Sequence, residues 1–190
     1  MTMFRDFTFP LWEIFAGNVL LLVTCVFYIL WWGLSFGSGG NNGASILIAV
    51  ALLAGILAIV SMALGISSLP SAKSSLSTVI IIASASVGYF VLQFVTQALF
   101  QRETTSELLI IVIWCVLQFV VLNSLGNSGR FSTAVIVAIS ILVVVATCIG
   151  LVCYTIFYKV DENAQYLIGF VPIAVDAGVG IVLLSVMSLS

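Results

Sequence analysis

The stretch that decides the fold is YLIGFVPIAVDAGVGIVLLSVMSL, residues Tyr166–Leu189. It is long enough to cross the hydrocarbon core of a bilayer as an α-helix, which takes about 20 apolar residues. Asp176 is its one charged residue. At a rise of about 1.5 Å per residue, its carboxyl group lies roughly 15 Å into the span, near the bilayer midplane. A carboxyl group at that depth is costly, so the sequence predicts that Asp176 faces a protein interior or a cavity.

The composition extends this prediction to the whole chain. Hydrophobic residues make up 63% of the 190 residues and charged residues 6%, with a mean hydropathy of +1.34. A soluble domain carries about 25% charged residues, so this chain cannot cover a water-facing surface. We therefore expect a single integral membrane domain over residues 1–190. The net charge of −2 and the five basic residues leave no basic surface for nucleic acid.

Several kinds of chemistry are missing from the sequence. It contains no histidine, and its four cysteines lie inside apolar runs without a CxxC spacing. No nucleophile–base pair, phosphate-binding glycine motif or second mid-membrane carboxyl group accompanies Asp176. We predict no catalytic residue, no metal and no cofactor, and hence a protein that is not an enzyme.

Six apolar segments predict an all-α polytopic membrane protein with six transmembrane helices. Short polar or glycine-rich loops separate them, and the spacing of Thr104 and Glu107 predicts a capping box ahead of the fourth segment. The predicted segments are Leu11–Phe36, Ser45–Ser67, Ser75–Phe100, Leu108–Leu125, Thr133–Tyr158 and Tyr166–Leu189.

The basic residues predict the orientation. With six spans, Arg5, Lys73 and Arg130 lie on the side of the two termini, whereas Arg102 and Lys159 lie on the other. Basic residues concentrate on the cytoplasmic side. We therefore expect both termini in the cytoplasm and the protein in the plasma (inner) membrane.

The two halves of the chain share a weak internal similarity. IASASVGYFVL (82–92) aligns with IAVDAGVGIVL (173–183), and Gly37 and Gly40 align with Gly126 and Gly129 at a similar shift. A three-helix unit repeated in tandem would have opposite topology in its two copies, as in many secondary transporters. The alignment predicts a 3+3 inverted repeat with halves 11–100 and 101–190.

Pro172 precedes Asp176 by four residues, on the same helical face. A proline inside a helix removes a hydrogen bond and frees the carbonyl at i−4, here that of Ile168. We expect a helix kink at Pro172 beside the carboxyl group, as in cavity-lining helices. Apolar surroundings favour the neutral carboxyl group. The alternative is that Asp176 only bonds a polar group of a neighbouring helix.

The third segment carries a polar stripe that is the second candidate site. It consists of Ser86, Tyr89, Gln93 and Gln97. Polar side chains on a spanning helix face other helices or water, so these residues are candidates for a substrate or ion pathway near Asp176. The alternative is a close helix contact through small residues such as Ser84 and Gly88.

Other polar residues have simpler interpretations. Glu13, near the start of the first segment, is expected at the membrane interface in contact with water. Gln118, Asn123 and Thr147 are expected to form hydrogen bonds between packed helices.

Together these features favour a compact transporter or channel for a small solute or ion, proton-coupled through Asp176. The alternative is a non-catalytic substrate-binding or assembly subunit of a larger membrane complex. In size and number of spans the chain is similar to the substrate-binding subunits of energy-coupling-factor vitamin transporters. This resemblance implies a role as a substrate-binding subunit. The expected partners are the lipid bilayer, the solute or ion, and further copies of the chain or other membrane subunits.

Overall fold

The computed structural model describes residues 9–35, 42–69, 87–95, 97–98, 106–129 and 131–189. All regular secondary structure within these ranges is helical. We number the six α-helices of these ranges α1 to α6. The 3-10 turn Phe157–Lys159 follows α5 and precedes α6. The helices are α1 Phe9–Ser35, α2 Asn42–Ser68, α3 at residues 87–95, α4 Ser106–Asn127, α5 Thr133–Ile156 and α6 Glu162–Leu189.

Five of these helices are long and apolar enough to cross a membrane. Their spans are Pro10–Ser35, Ser45–Ser68, Ile110–Asn127, Thr133–Ile156 and Asn163–Leu189. The predicted all-α membrane class is therefore confirmed, as are the first, second, fourth, fifth and sixth apolar helices. Most of the third predicted segment lies outside the described residues, and α3 is the main helical stretch within its described part.

Serine and threonine fit into these helices because each hydroxyl group can bond the backbone of its own helix. Such bonds satisfy a polar group that would otherwise face hydrocarbon. Their donor–acceptor distances lie between 2.8 and 2.9 Å. The pairs are Thr24 with Leu20, Ser124 with Val120, Ser140 with Ile136, Thr147 with Val143 and Ser185 with Ile181. Thr147, expected to bond a neighbouring helix, instead donates to its own.

The connection between α4 and α5 shows how the sequence ends one helix and starts the next. Gly129 has a φ of +71°, a left-handed conformation that glycine adopts without strain. Ser132 then caps α5, its side chain accepting a hydrogen bond from the Val135 amide at 3.4 Å. The loop predicted between the fourth and fifth segments is confirmed here.

The chain forms two compact units. One comprises the described residues of Met1–Pro70 and Ile173–Ser190, and the other those of Ser71–Pro172. The first unit contains α1, α2 and the C-terminal part of α6. The second contains α3, α4, α5 and the N-terminal part of α6.

In the first unit, α1 and α2 pack as an antiparallel hairpin along a stripe of small residues. A Cβ atom added to Gly17 would lie 2.9 Å from the Ala58 carbonyl oxygen, and one added to Gly65 would lie 2.6 Å from that of Pro10. Backbones this close leave room only for hydrogen at both glycines. Ala51, Ala54 and Ala58 continue the buried stripe on α2.

In the second unit, α4 and α5 also form an antiparallel pair. Ideal Cβ positions at Gly150 and Gly126 lie 3.6 Å from Ile111 and 3.7 Å from Ile136, which is ordinary van der Waals contact. The buried residues of this pair include Val121, Leu122, Leu125, Val143 and Ala146.

Candidate functional site

Asp176 is the fifteenth of the 28 residues of α6, near the middle of the helix. Its side chain is half-buried. Its carboxyl group lies within electrostatic range of the Cys25 thiol on α1. One turn further along α6, an ideal Cβ position at Gly180 lies 3.1 Å from the Leu22 side chain. Asp176 therefore belongs to the part of α6 that packs against α1.

These two contacts indicate that α1 and the C-terminal part of α6 run antiparallel. With Leu22 level with Gly180, an antiparallel arrangement places Cys25 and Asp176 at nearly the same height. A parallel arrangement would separate the same two residues by roughly 10 Å along the helix axes alone, at about 1.5 Å per residue. The antiparallel arrangement therefore fits both contacts better than the parallel one.

The described helices of this unit carry two carboxyl groups and no basic side chain. Glu13 lies on α1 and Asp176 on α6, and α2 contributes no ionisable residue. The other titratable side chains of these helices are Cys25 and Tyr28. When ionised, these carboxyl groups attract cations and repel anions.

The Glu13 side chain is more buried than the sequence predicted. Its Oε2 atom is buried and has no hydrogen-bond partner, so the prediction of a solvated carboxyl group is wrong for this oxygen. The Ser61 hydroxyl donates a 2.8 Å hydrogen bond to the Glu13 backbone carbonyl, which ties α2 to α1 at this level.

Asn18 is a buried polar residue to which the sequence pattern assigned no role. Its side chain is 1% exposed. The amide Nδ2 donates a 3.0 Å hydrogen bond to the Ile14 carbonyl, whereas the amide Oδ1 is buried without a partner. A fully buried acceptor without a donor costs about 1–3 kcal/mol. Its seven-residue spacing from Cys25, two helical turns, could have drawn attention to it.

The orientation of the Asn18 amide follows from its one hydrogen bond. A backbone carbonyl only accepts, so the nitrogen of the amide has to face Ile14. The amide oxygen is then the atom without a hydrogen-bond partner, and it points away from the turn of α1 that binds the nitrogen. Asn18 lies on the same face of α1 as Leu22 and Cys25, which is the face turned toward the C-terminal part of α6.

The polar stripe of the third segment is described in part. Tyr89 and Gln93 on α3 are half-buried, whereas Gln97 is exposed and Ser86 lies outside the described residues. The opposite side of α3 exposes large apolar side chains, with Phe94 73% exposed. These residues belong to the second unit, and their predicted proximity to Asp176 stays a prediction.

Pro172 lies inside α6, which is α-helical on both sides of it. The boundary between the two compact units falls directly after this residue. Because α6 continues as an α-helix through Pro172, its secondary structure does not test the predicted kink, which stays a prediction. Gly178, beyond Asp176, faces open space, since no heavy atom lies within 4 Å of its ideal Cβ position.

Gln118 on α4 is a second buried amide with an unpartnered oxygen. It is 1% exposed, and its Oε1 atom has no hydrogen-bond partner.

Within the described residues, no group of three or more histidine, cysteine, aspartate or glutamate side chains is placed to hold a metal ion.

The comparisons with known proteins found no match for this chain among family models, curated proteins or solved structures.

Proposed function

We propose that this protein is a compact membrane transporter or channel for a small ion or solute, proton-coupled through Asp176. The observation that carries the proposal is a half-buried carboxyl group halfway along a helix long enough to cross a membrane. An ionisable side chain at such depth is expensive, and those that occur usually mark substrate, ion or proton paths. This activity uses no catalytic residue, metal or cofactor.

The same proposal includes six spans, with both termini on the cytoplasmic side of the plasma (inner) membrane. The antiparallel register of α1 and the end of α6 supports an even number of crossings, because a first and a last span of opposite direction return the chain to its starting side. The sequence similarity between residues 82–92 and 173–183 supports the further proposal of a 3+3 inverted repeat.

Cysteine-accessibility labelling tests this topology. Cysteines introduced at Ser38, in the first loop, and at Ser190, at the C-terminus, are expected on opposite sides of the membrane. An impermeant thiol reagent added from one side of sealed vesicles should label one position and spare the other. Labelling of both from the same side would contradict the six-span arrangement.

Reconstitution tests the activity. The purified full chain in sealed lipid vesicles should move a small ion or solute when a pH gradient is applied, and vesicles without protein should not. Copies of the chain alone are sufficient for this movement under the proposal. If the chain instead purifies in fixed stoichiometry with other membrane proteins and is inactive alone, it is an accessory subunit.

A further inference from the structure

We propose that the aromatic residues at the two ends of α1 lie at the two membrane interfaces and place Asp176 off-centre in the bilayer. Asp176 then lies closer to the interface at the C-terminal end of α1 and exchanges its proton with that side. This inference rests on the proposed transport function and adds to it the depth of Asp176 and the side from which it is reached.

The tryptophans of α1 occur only near its two ends. Trp12, near the start, packs edge-on against Phe15 with ring centroids 5.5 Å apart. Near the other end, Tyr28 packs edge-on against Trp31 at 5.2 Å, and the Trp31 ring lies 6.2 Å from that of Trp32. Tryptophan and tyrosine concentrate at membrane–water interfaces, because each combines an apolar ring with a polar N–H or O–H group. We therefore assign one interface to Trp12 and the other to the second group of rings, which we call the end cluster.

The spacing of these residues agrees with the thickness of a membrane. Trp12 and Trp31 are 19 residues apart, or about 28 Å at a rise of about 1.5 Å per residue. The hydrocarbon core of a bilayer is about 30 Å thick. No tryptophan or tyrosine of α1 lies between Trp12 and Tyr28, so the helix offers one pair of interface markers. The bilayer midplane then falls between Leu21 and Leu22.

The contacts between α1 and α6 give the level of Asp176. Gly180 is level with Leu22, because an ideal Cβ position at Gly180 lies 3.1 Å from the Leu22 side chain. In the antiparallel arrangement Asp176, four residues earlier on α6, is level with Val26. The electrostatic interaction of Asp176 with the neighbouring Cys25 thiol agrees with this level.

This level lies well away from the midplane. It is about 21 Å from the level of Trp12 and about 8 Å from that of Trp31, at about 1.5 Å per residue. A tilt of α1 shortens both distances in the same proportion, so the asymmetry remains. The cost of a charge in hydrocarbon grows with depth. A proton that reaches Asp176 from the end cluster therefore crosses the thinner layer.

The charges of the unit do not oppose this route. No lysine or arginine occurs on the described helices of the unit, so they carry no fixed positive charge there. Tyr28 lies between the levels of Asp176 and Trp31, on the same face of α1 as Cys25. Glu13 lies near the opposite interface, and α2 contributes no titratable group.

Spin labels at exposed positions test the depth without relying on transport. In the full-length chain with its four cysteines replaced by alanine, the labelled variants are Leu30→Cys, Val26→Cys and Ile181→Cys, all at exposed residues. In lipid vesicles, the depth of a label follows from its collisions with oxygen, which is enriched at the bilayer centre, and with a water-soluble nickel complex. The expected depths below the nearer interface are about 2 Å for Leu30, about 8 Å for Val26 and about 14 Å for Ile181, from a rise of about 1.5 Å per residue.

The order of these depths decides the proposal. Counting along the sequence from Tyr166 places Asp176 near the midplane, and in that case Val26 would carry the deepest label. A label at Val26 that is as deep as the one at Ile181, or deeper, therefore overturns the off-centre position of Asp176.

Replacing the end cluster tests whether it sets the interface. Trp31→Leu combined with Trp32→Leu should move the Val26 label deeper by up to about 6 Å, because the next polar residue of α1 is Ser35, four residues beyond Trp31. Trp31→Tyr combined with Trp32→Tyr is the matched control, since it retains interfacial rings and should leave the depth unchanged. An unchanged depth in the leucine variant would contradict the assignment of this interface to the end cluster.

Thiol labelling tests the side of access. Asp176→Cys, again as the single cysteine, should react with a small impermeant thiol reagent about tenfold faster or more from the side of the end cluster than from the side of Trp12, because the layer to be crossed is thinner. Ile181→Cys is the control, because it lies at the midplane and is exposed, and it should react from neither side. Faster reaction of Asp176→Cys from the side of Trp12, or no reaction from either side, would overturn the assigned side.

The outcomes separate this inference from the proposed function. If the labels show the expected order of depths but the wild type moves no ion or solute, the position of Asp176 stands and the transport function is wrong. If Asp176→Asn removes the pH dependence of transport while Val26 carries the deepest label, transport stands and the off-centre position is wrong.

Discussion

Asp176→Asn is expected to leave the protein folded and to remove the pH dependence of its transport. Asparagine keeps the size of aspartate and its ability to form hydrogen bonds, but its amide does not titrate. A step that requires one proton on one carboxyl group changes in rate by up to about tenfold per pH unit on one side of its titration. In the variant this dependence should be flat. The measurement is solute or ion flux in sealed vesicles over a range of internal and external pH.

Asp161→Asn is the matched control for this experiment. Asp161 is exposed, immediately before α6, and it is also an aspartate whose replacement removes one negative charge. Its variant should retain the wild-type pH profile. An unchanged pH profile in Asp176→Asn would instead leave Asp176 with a structural role, as a hydrogen-bonding group between helices.

Much of the architecture follows from hydropathy and spacing, because long apolar runs in a bilayer have to satisfy their backbone groups internally as helices. The loop around Gly129 was predictable for a similar local reason. Asp176 was predictable as a candidate because one charge in a 24-residue apolar run stands out in any sequence. These features depend on residues that are close together along the chain.

The parts of the site that the sequence did not reveal depend on contacts between distant residues. Glu13 was expected in water, but Ser61, 48 residues away, brings α2 against it. The burial of Asn18 likewise depends on which helices cover its face of α1. The small residues of α2 occur at regular spacing, yet the spacing alone does not say which helix they face.

The tight contact between α1 and α2 predicts the largest effect on stability. Gly65→Leu should destabilise the protein by about 3 kcal/mol or more, as expected for severe overpacking of a buried contact. The first added atom alone would lie 2.6 Å from the Pro10 carbonyl oxygen and 2.9 Å from the Ile14 amide nitrogen. These are backbone atoms, so they cannot rotate away, and the helices would have to separate.

Gly178→Leu is the control that isolates this clash from the intrinsic preferences of the two residues. Both glycines lie inside helices, where leucine is favoured over glycine by up to about 1 kcal/mol. Because Gly178 faces open space, its variant should be as stable as the wild type or slightly more so. Thermal unfolding of the purified chain in detergent should show the midpoint of Gly65→Leu lowered by roughly 6 °C or more, at about 2–4 °C per kcal/mol for a chain of this size. Equal midpoints for the two variants would contradict the close approach of α1 and α2.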